Sequence, residues 1–203
     1  MKKLLNIDPR IRVKPVDLMD EIMVIRVKHF HDDAAEKFSQ EMSKAHNTGQ
    51  PVIPVVIDSF GGMIHSLLAM MADIDHATLP VATIAVGKAM SCGALLLSCG
   101  TDGYRFADPS SSVMIHDASA WECGKIEELK SGIKETERLN NFLYHRMAKN
   151  CGHRDMNYFL KLIHDRSHAE VYLTAKEAVR HKIVNHVRVP QFTTDVIVKT
   201  TFG

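Results

Sequence analysis

Two short runs built almost wholly from β-branched and apolar residues, Val52–Ile57 and Val81–Val86, constrain the fold more than any other feature of the sequence. A strand with one wet face alternates apolar and polar residues. A continuous apolar run belongs instead to a strand covered on both faces, as in parallel sheets wrapped by helices. Each run leads into a glycine-containing turn and then into helical spacing. After the first come Asp58-Ser59-Phe60-Gly61-Gly62 and the segment Met63–Ile74, with Leu67, Leu68, Met70, Met71 and Ile74 on a helical period. After the second come Gly87, then Ser91, then Gly93–Ser98, where small residues pass into three leucines as in a buried helix. Repeated strand, turn and helix argue an α/β protein whose functional groups collect where strands end.

The rest of the chain fits the same plan. A strand is predicted over Ile22–Val27, and a helix over Asp32–His46 that Asp32 or Asp33 caps, with Ala35, Phe38 and Met42 on one face. Short strands are predicted at Tyr104–Phe106 and Val113–Ile115. A long helix follows over Lys125–Lys149, where Ile126, Leu129, Ile133, Thr136, Asn140, Leu143 and Met147 recur at alternating spacings of three and four. Polar residues interrupt that stripe, so the helix packs against another helix or subunit, or on its own domain, rather than lying deep in a core. A helix over Met156–Ile163, a strand over Glu170–Leu173, a helix over Thr174–His181 with a capping-box start, and a strand over Ile183–Val189 complete the pattern. With 203 residues, one domain over 1–203 is expected, with an extended arm over 1–21 and a tail over 190–203.

Composition narrows the function classes. A formal net charge of +1 gives no electrostatic reason to bind nucleic acid or an anionic membrane. No apolar run approaches membrane-spanning length. The four cysteines, Cys92, Cys99, Cys123 and Cys151, lack metal-ligand spacing, and no cleavable signal is evident, so free thiols in the cytoplasm are expected. His164 and His168 share a helical spacing with Asp165 between them, but no third ligand stands nearby, so neither a metal nor a cofactor is expected.

Chemistry concentrates on Ser91. At a strand-to-helix turn its hydroxyl lies near free N–H groups and the positive end of the helix, and Ala89, Gly93 and Ala94 leave room for another chain to approach. The same position suits a serine that merely caps the helix. Gly61 and Gly62 expose backbone N–H groups at a strand end, as an oxyanion hole requires, and equally suit a simple turn. His116 closes the strand Val113–Ile115.

Taken together, Asp58-Ser59-Phe60-Gly61-Gly62, Gly87-Lys88-Ala89-Met90-Ser91-Cys92-Gly93-Ala94, Val113-Met114-Ile115-His116 and Tyr172-Leu173-Thr174-Ala175-Lys176-Glu177-Ala178-Val179 resemble four ordered segments of the Clp protease proteolytic subunit family. The resemblance covers about Val52 to Val187. It implies an α/β crotonase-like (ClpP-like) fold of repeated β-β-α units with a protruding handle helix over 125–150. It also implies a serine endopeptidase with Ser91 as nucleophile, His116 as general base and the N–H groups of Gly62 and Cys92 as oxyanion hole. Glu170 stands where the family has its triad aspartate. Asp165 is the alternative, because the segment between Gly152 and Glu170 is longer than the family pattern and a glutamate needs a wider gap. Gly61, Met63 and Ile64 on one side, and Ser119, Ala120 and Trp121 on the other, become the walls that clamp a peptide as an added strand.

Phe60 replaces the family's proline, and Asp117–Trp121 replaces its Gln-Pro-Leu-Gly-Gly, so a different specificity is expected. The implied partners are peptide or unfolded-protein substrates, further copies of the chain in two stacked heptameric rings, and an ATP-driven AAA+ unfoldase. Two other readings remain open. One is a non-catalytic ring subunit, suggested by the irregular acid position and altered cleft; the other is a coenzyme-A-binding enzyme on the same fold.

Overall fold

The computed structural model describes residues 22–120 and 123–191. The expected arm over 1–21, the tail from 192 onward and Trp121 lie outside them. The described chain runs β1 (Ile25–Val27), α1 (Asp32–Ala45), β2 (Ile53–Ser59), α2 (Ile64–Asp75), β3 (Val81–Met90), α3 (Cys92–Leu97), β4 (Arg105–Ala107), β5 (Ser112–Ile115), α4 (Ile126–Asn150), α5 (Tyr158–His164), β6 (Val171–Thr174), α6 (Ala175–Arg180) and β7 (His186–Val187). The sheet is mixed. Strands β1-β2-β3-β4-β7 lie side by side in parallel, β5 joins β3, and β6 closes antiparallel on β5.

β3 is the strand on which the rest is arranged. Its first half pairs with β4 through Thr83, Ile84 and Ala85, and its second half pairs with β5 through Lys88, Ala89 and Met90. The change of partner falls at Val86 and Gly87. Gly87 takes φ 83°, and a Cβ there would lie 3.1 Å from an Asp58 carboxylate oxygen. β2 bends alongside, its register with β3 shifting between Ile57 and Ser59. One bent strand thus serves as both strands of a β-β-α unit. β3 therefore extends beyond the expected Val81–Val86: Gly87-Lys88-Ala89-Met90 has weak strand character of its own, and pairing with β5 draws it into the sheet.

The core fills both sides of β2 and β3. Ile53, Val55 and Ile57 are fully buried against Phe38 and Met42 of α1, Leu67 of α2 and neighbouring apolar residues. α1 is capped by His31 rather than by Asp32 or Asp33: its Nδ1 accepts from the Ala34 N–H at 3.2 Å. The capping position needs an extended backbone one residue before the helix. Asp32 and Asp33 sit inside the first turn, where they complement the helix dipole. No helix among the described residues is long and apolar enough to cross a membrane.

α4 divides into two halves with different surroundings. Its buried residues, Leu139, Leu143, Tyr144, Met147 and Ala148, all lie in the C-terminal half. In the N-terminal half Ile126 and Ile133 are 71% and 55% exposed, so this half stands clear of its own domain. α6, which packs beside β6, begins with a full capping box: the Thr174 hydroxyl accepts from the Glu177 N–H, and the Glu177 carboxylate accepts from the Thr174 N–H. Thr174→Ala is expected to lower the unfolding free energy by about 1 kcal/mol. The change should be read as a lower denaturant midpoint at unchanged slope.

Candidate active site

Between the end of β3 and the start of α3, Ser91 makes the turn alone. Its φ of 53° with ψ −120° is a conformation that residues bearing a Cβ rarely adopt, costing on the order of 1–3 kcal/mol. Three backbone hydrogen bonds hold it there. Its N–H donates to the Met114 carbonyl of β5 at 2.8 Å, and its carbonyl accepts from the Ala94 and Leu95 N–H groups at 2.9 and 3.2 Å. The backbone is thus fully engaged while the hydroxyl makes no capping bond to α3. Ser91 occupies the cap position without using its side chain as a cap, and it is half-buried, within reach of a ligand.

The glycine pair lies against it. Gly61 and Gly62 take φ 109° and 151°. A Cβ on Gly61 would stand 2.7 Å from Ser91 Cβ and 3.2 Å from Ser91 Oγ, and one on Gly62 would stand 2.5 Å from the Phe30 carbonyl oxygen. Only bare backbone fits. The loop is pinned by the Met63 N–H donating to the Phe30 carbonyl at 2.8 Å and the Gly61 N–H donating to Ser59 Oγ at 3.1 Å. The Cys92 thiol donates to the Gly62 carbonyl at 3.2 Å. Burial pushes that thiol's pKa up, so it stays a neutral S–H donor. The Gly62 and Cys92 N–H groups have no protein acceptor among the described residues, leaving two free backbone donors beside Ser91.

His116 follows β5 directly. The antiparallel register pairs Ser112 with Thr174, Met114 with Tyr172 and Ile115 with Val171 and ends there; continued one step outward, the same register would set His116 opposite Glu170. Directly opposed residues share a face of the sheet. Ile115 and Val171 point into the core, and His116 and Glu170 therefore lie with exposed Tyr172 on the other face. β3, β5 and β6 are neighbours, and Ser91, His116 and Glu170 stand in that order at their adjacent ends. Asp165 lies elsewhere, at the C-cap of α5 and off the ladder. Among the described residues no hydrogen bond joins the His116 ring to Ser91 or to Glu170, and such contacts often tighten only when substrate binds.

What fixes His116 comes from α4, which the sequence did not reveal. The Tyr144 hydroxyl accepts from the His116 N–H at 3.2 Å and donates to the His116 carbonyl at 2.6 Å. Burial pushes the Tyr144 phenol's pKa up, so it remains protonated and able to donate. One helical turn away, Asn140 Oδ1 accepts from the Ala118 N–H, and its Nδ2 donates to Asp117 Oδ1, both at 2.9 Å. The sequence signal for this clamp is one of the polar interruptions of the α4 stripe, Asn140, four residues before Tyr144.

The predicted cleft walls are surface groups. Met63 is 50% exposed, Ile64 half-buried, and Ser119 and Ala120 exposed. Phe60, 73% exposed, lies beneath Lys88, whose Nζ sits 4.4 Å from the ring centroid and 2.6 Å from Asp58. Among the described residues no group of three or more His, Cys, Asp or Glu side chains is arranged to hold a metal ion.

A sequence model of the family described as Clp protease matches residues 13–191, a span that takes in every strand and helix named above. The close approach of Gly61 to Ser91 yields a direct test. Gly61→Ala is expected to slow labelling of Ser91 by a fluorophosphonate by about 100-fold, since a shift of roughly 1 Å at a reacting group has that effect. The loss should appear while the circular dichroism spectrum is unchanged.

Proposed function

The chain belongs to the Clp protease family, and from that premise we propose that it is a serine endopeptidase of unfolded chains and peptides. Ser91 Oγ attacks the peptide carbonyl and passes its proton to His116. The negative charge on the tetrahedral intermediate's oxygen rests on the Gly62 and Cys92 N–H groups. Collapse of the intermediate breaks the C–N bond, and His116 returns the proton to the leaving amine. Water then repeats the sequence on the acyl-enzyme. Glu170 orients the His116 ring and offsets its positive charge when protonated.

The observation that carries this reading is the alignment of three neighbouring strand ends bearing Ser91, His116 and Glu170 in the order nucleophile, base and orienting acid. It favours Glu170 over Asp165 as the acid. An extended peptide laid between Gly61, Met63 and Ile64 on one side and Ser119 and Ala120 on the other brings its carbonyl to the two free donors. Clp proteases typically assemble into rings and work with unfoldases. The clear-standing half of α4, with Ile126 and Ile133 exposed, supports ring-to-ring stacking here. Confinement in such a chamber, fed by an AAA+ unfoldase in the cytoplasm, restricts the site to threaded chains.

Ser91→Ala is expected to abolish both fluorophosphonate labelling and hydrolysis of a short fluorogenic peptide. Glu170→Gln should lower kcat by about 10²–10⁴-fold, with Asp165→Asn near wild type. Equal labelling of the Ser91→Ala protein would reject Ser91 as the nucleophile, and a wild type that assembles yet never cleaves the peptide would make the non-catalytic ring subunit the better reading. Ile133→Glu should lower the assembly mass measured by sedimentation to that of a single ring.

A further inference from the structure

The backbone ladder of β5 and β6 ends at the pair Ile115 and Val171, one residue short of His116 and Glu170, and beyond it a side-chain bond joins the two segments. His168 Nδ1 donates to Asp117 Oδ2 at 2.6 Å. Asp117 adjoins His116, and His168 lies two residues before Glu170. The same carboxylate accepts from Asn140 of α4 at 2.9 Å, so one acidic group joins three segments: the one carrying His116, the one carrying Glu170, and the helix that clamps His116 through Tyr144. Burial works to raise the Asp117 pKa, but hydrogen bonds from His168 and Asn140, with the nearby charges of His168 and His116, outweigh it and hold it below the usual carboxylate range.

The turn carrying His168 needs such a tie. Ser167 and His168 both take left-handed backbone, φ 57° and 59°, without being glycine. Backbone bonds from Ser167 and His168 to His164 and Ile163 fold this turn onto the end of α5. They do not bind it to β5 or to the 116–118 segment. Without the Asp117 bond, nothing in this side-chain network holds Glu170 in register with His116 past the last ladder pair. The groups facing His168 are His164 of α5, its ring centroid 4.2 Å away, and Glu137 of α4, which lines the same cavity of about 390 Å3 as Asp117 and Asn140.

Resting on the peptidase reading, we propose that Asp117 and His168 form a positioning latch that holds Glu170 against His116, neither residue touching the substrate. The latch acts only through Glu170. Loosening it deprives the His116 imidazolium of its counter-charge, so His116 gives up its proton more readily. The acid limb of kcat/KM then moves to lower pH.

Two substitutions separate the bond from the strain of the turn. His168→Gln keeps a side-chain donor within reach of Asp117, His168→Leu has similar bulk and none, and both bear the same left-handed backbone. In the full-length assembled protein with a fluorogenic peptide, His168→Leu is expected to lower kcat about tenfold with KM little changed, while His168→Gln stays within about twofold of wild type. The acid limb should shift downward in His168→Leu and Glu170→Gln alike. Adding His168→Leu to Glu170→Gln should cost nothing further, because residues acting as one unit are not additive. If the two effects multiply, if the pH profile of His168→Leu is unmoved, or if Gln fails to rescue, the latch is rejected. If His168→Leu does not assemble, Asp117→Ala in the wild-type and Glu170→Gln backgrounds gives the same comparison. Fluorophosphonate labelling of the wild type runs alongside. An unlabelled wild type rejects the peptidase reading and the latch with it, and a labelled wild type with multiplying effects rejects the latch alone.

Discussion

Everything at the candidate site depends on β3 exchanging one partner for another along its length. Parallel strands cannot be joined by a tight turn, so each must be brought to its neighbour by a crossover. By pairing first with β4 and then with β5, β3 uses one crossover to reach two neighbours and carries Ser91 out past the main sheet. The bend requires a residue without a side chain facing Asp58, and Gly87 meets that requirement. Where β3 ends, β5 supplies the carbonyl that holds Ser91 in its unusual conformation, and β5 in turn ends at His116. Ser91 and His116, the nucleophile and base of the proposed reaction, therefore depend on the same short stretch of strand pairing.

A second constraint is close approach. Around Ser91 the protein offers backbone rather than side chains: Gly61 stands where a Cβ would strike Ser91, and Gly62 stands where one would strike Phe30. The Cys92 thiol, a donor because it is neutral, engages the Gly62 carbonyl, and together with the Met63 N–H bond to the Phe30 carbonyl it fixes the Gly62–Met63 peptide that follows the Gly62 N–H. Fixed dipoles of this kind need no rearrangement when charge develops on a substrate oxygen, which is the physical basis of stabilisation by an oxyanion hole.

Much of this was legible in the sequence, for reasons that separate local from distant effects. Val52–Ile57 read as a doubly covered strand because its neighbours are apolar on every side, and it forms the body of β2. The turn at Ser91, the helix after it and the capping box at Thr174 are coded within a few residues, and each was found close to its observed bounds. What was hidden depends on residues far apart in the chain. The extension of β3 through Met90 needs β5, the hold on His116 needs Tyr144 28 residues later, and the Asp117 and His168 bond spans 51 residues. The His31 cap of α1 is not legible locally, because histidine seldom serves as an N-cap while Asp32 and Asp33 beside it are common ones. The helical spacing of His164 and His168 carries no trace of the bond His168 makes to Asp117, a residue 51 positions away.

The conformation of Ser91 also has a consequence for the order in which the molecule is made. A left-handed serine is held only by bonds from outside itself, above all the Met114 carbonyl 23 residues further along. Until that strand docks, an ordinary helix-capping conformation costs less, and the hydroxyl turns inward to the helix it precedes. The conformation of Ser91 therefore requires the pairing of β3 with β5 and cannot be set by the local sequence alone. A subunit that has not finished folding carries a serine at position 91 without the backbone turn that, in the proposed reaction, would present it to a substrate.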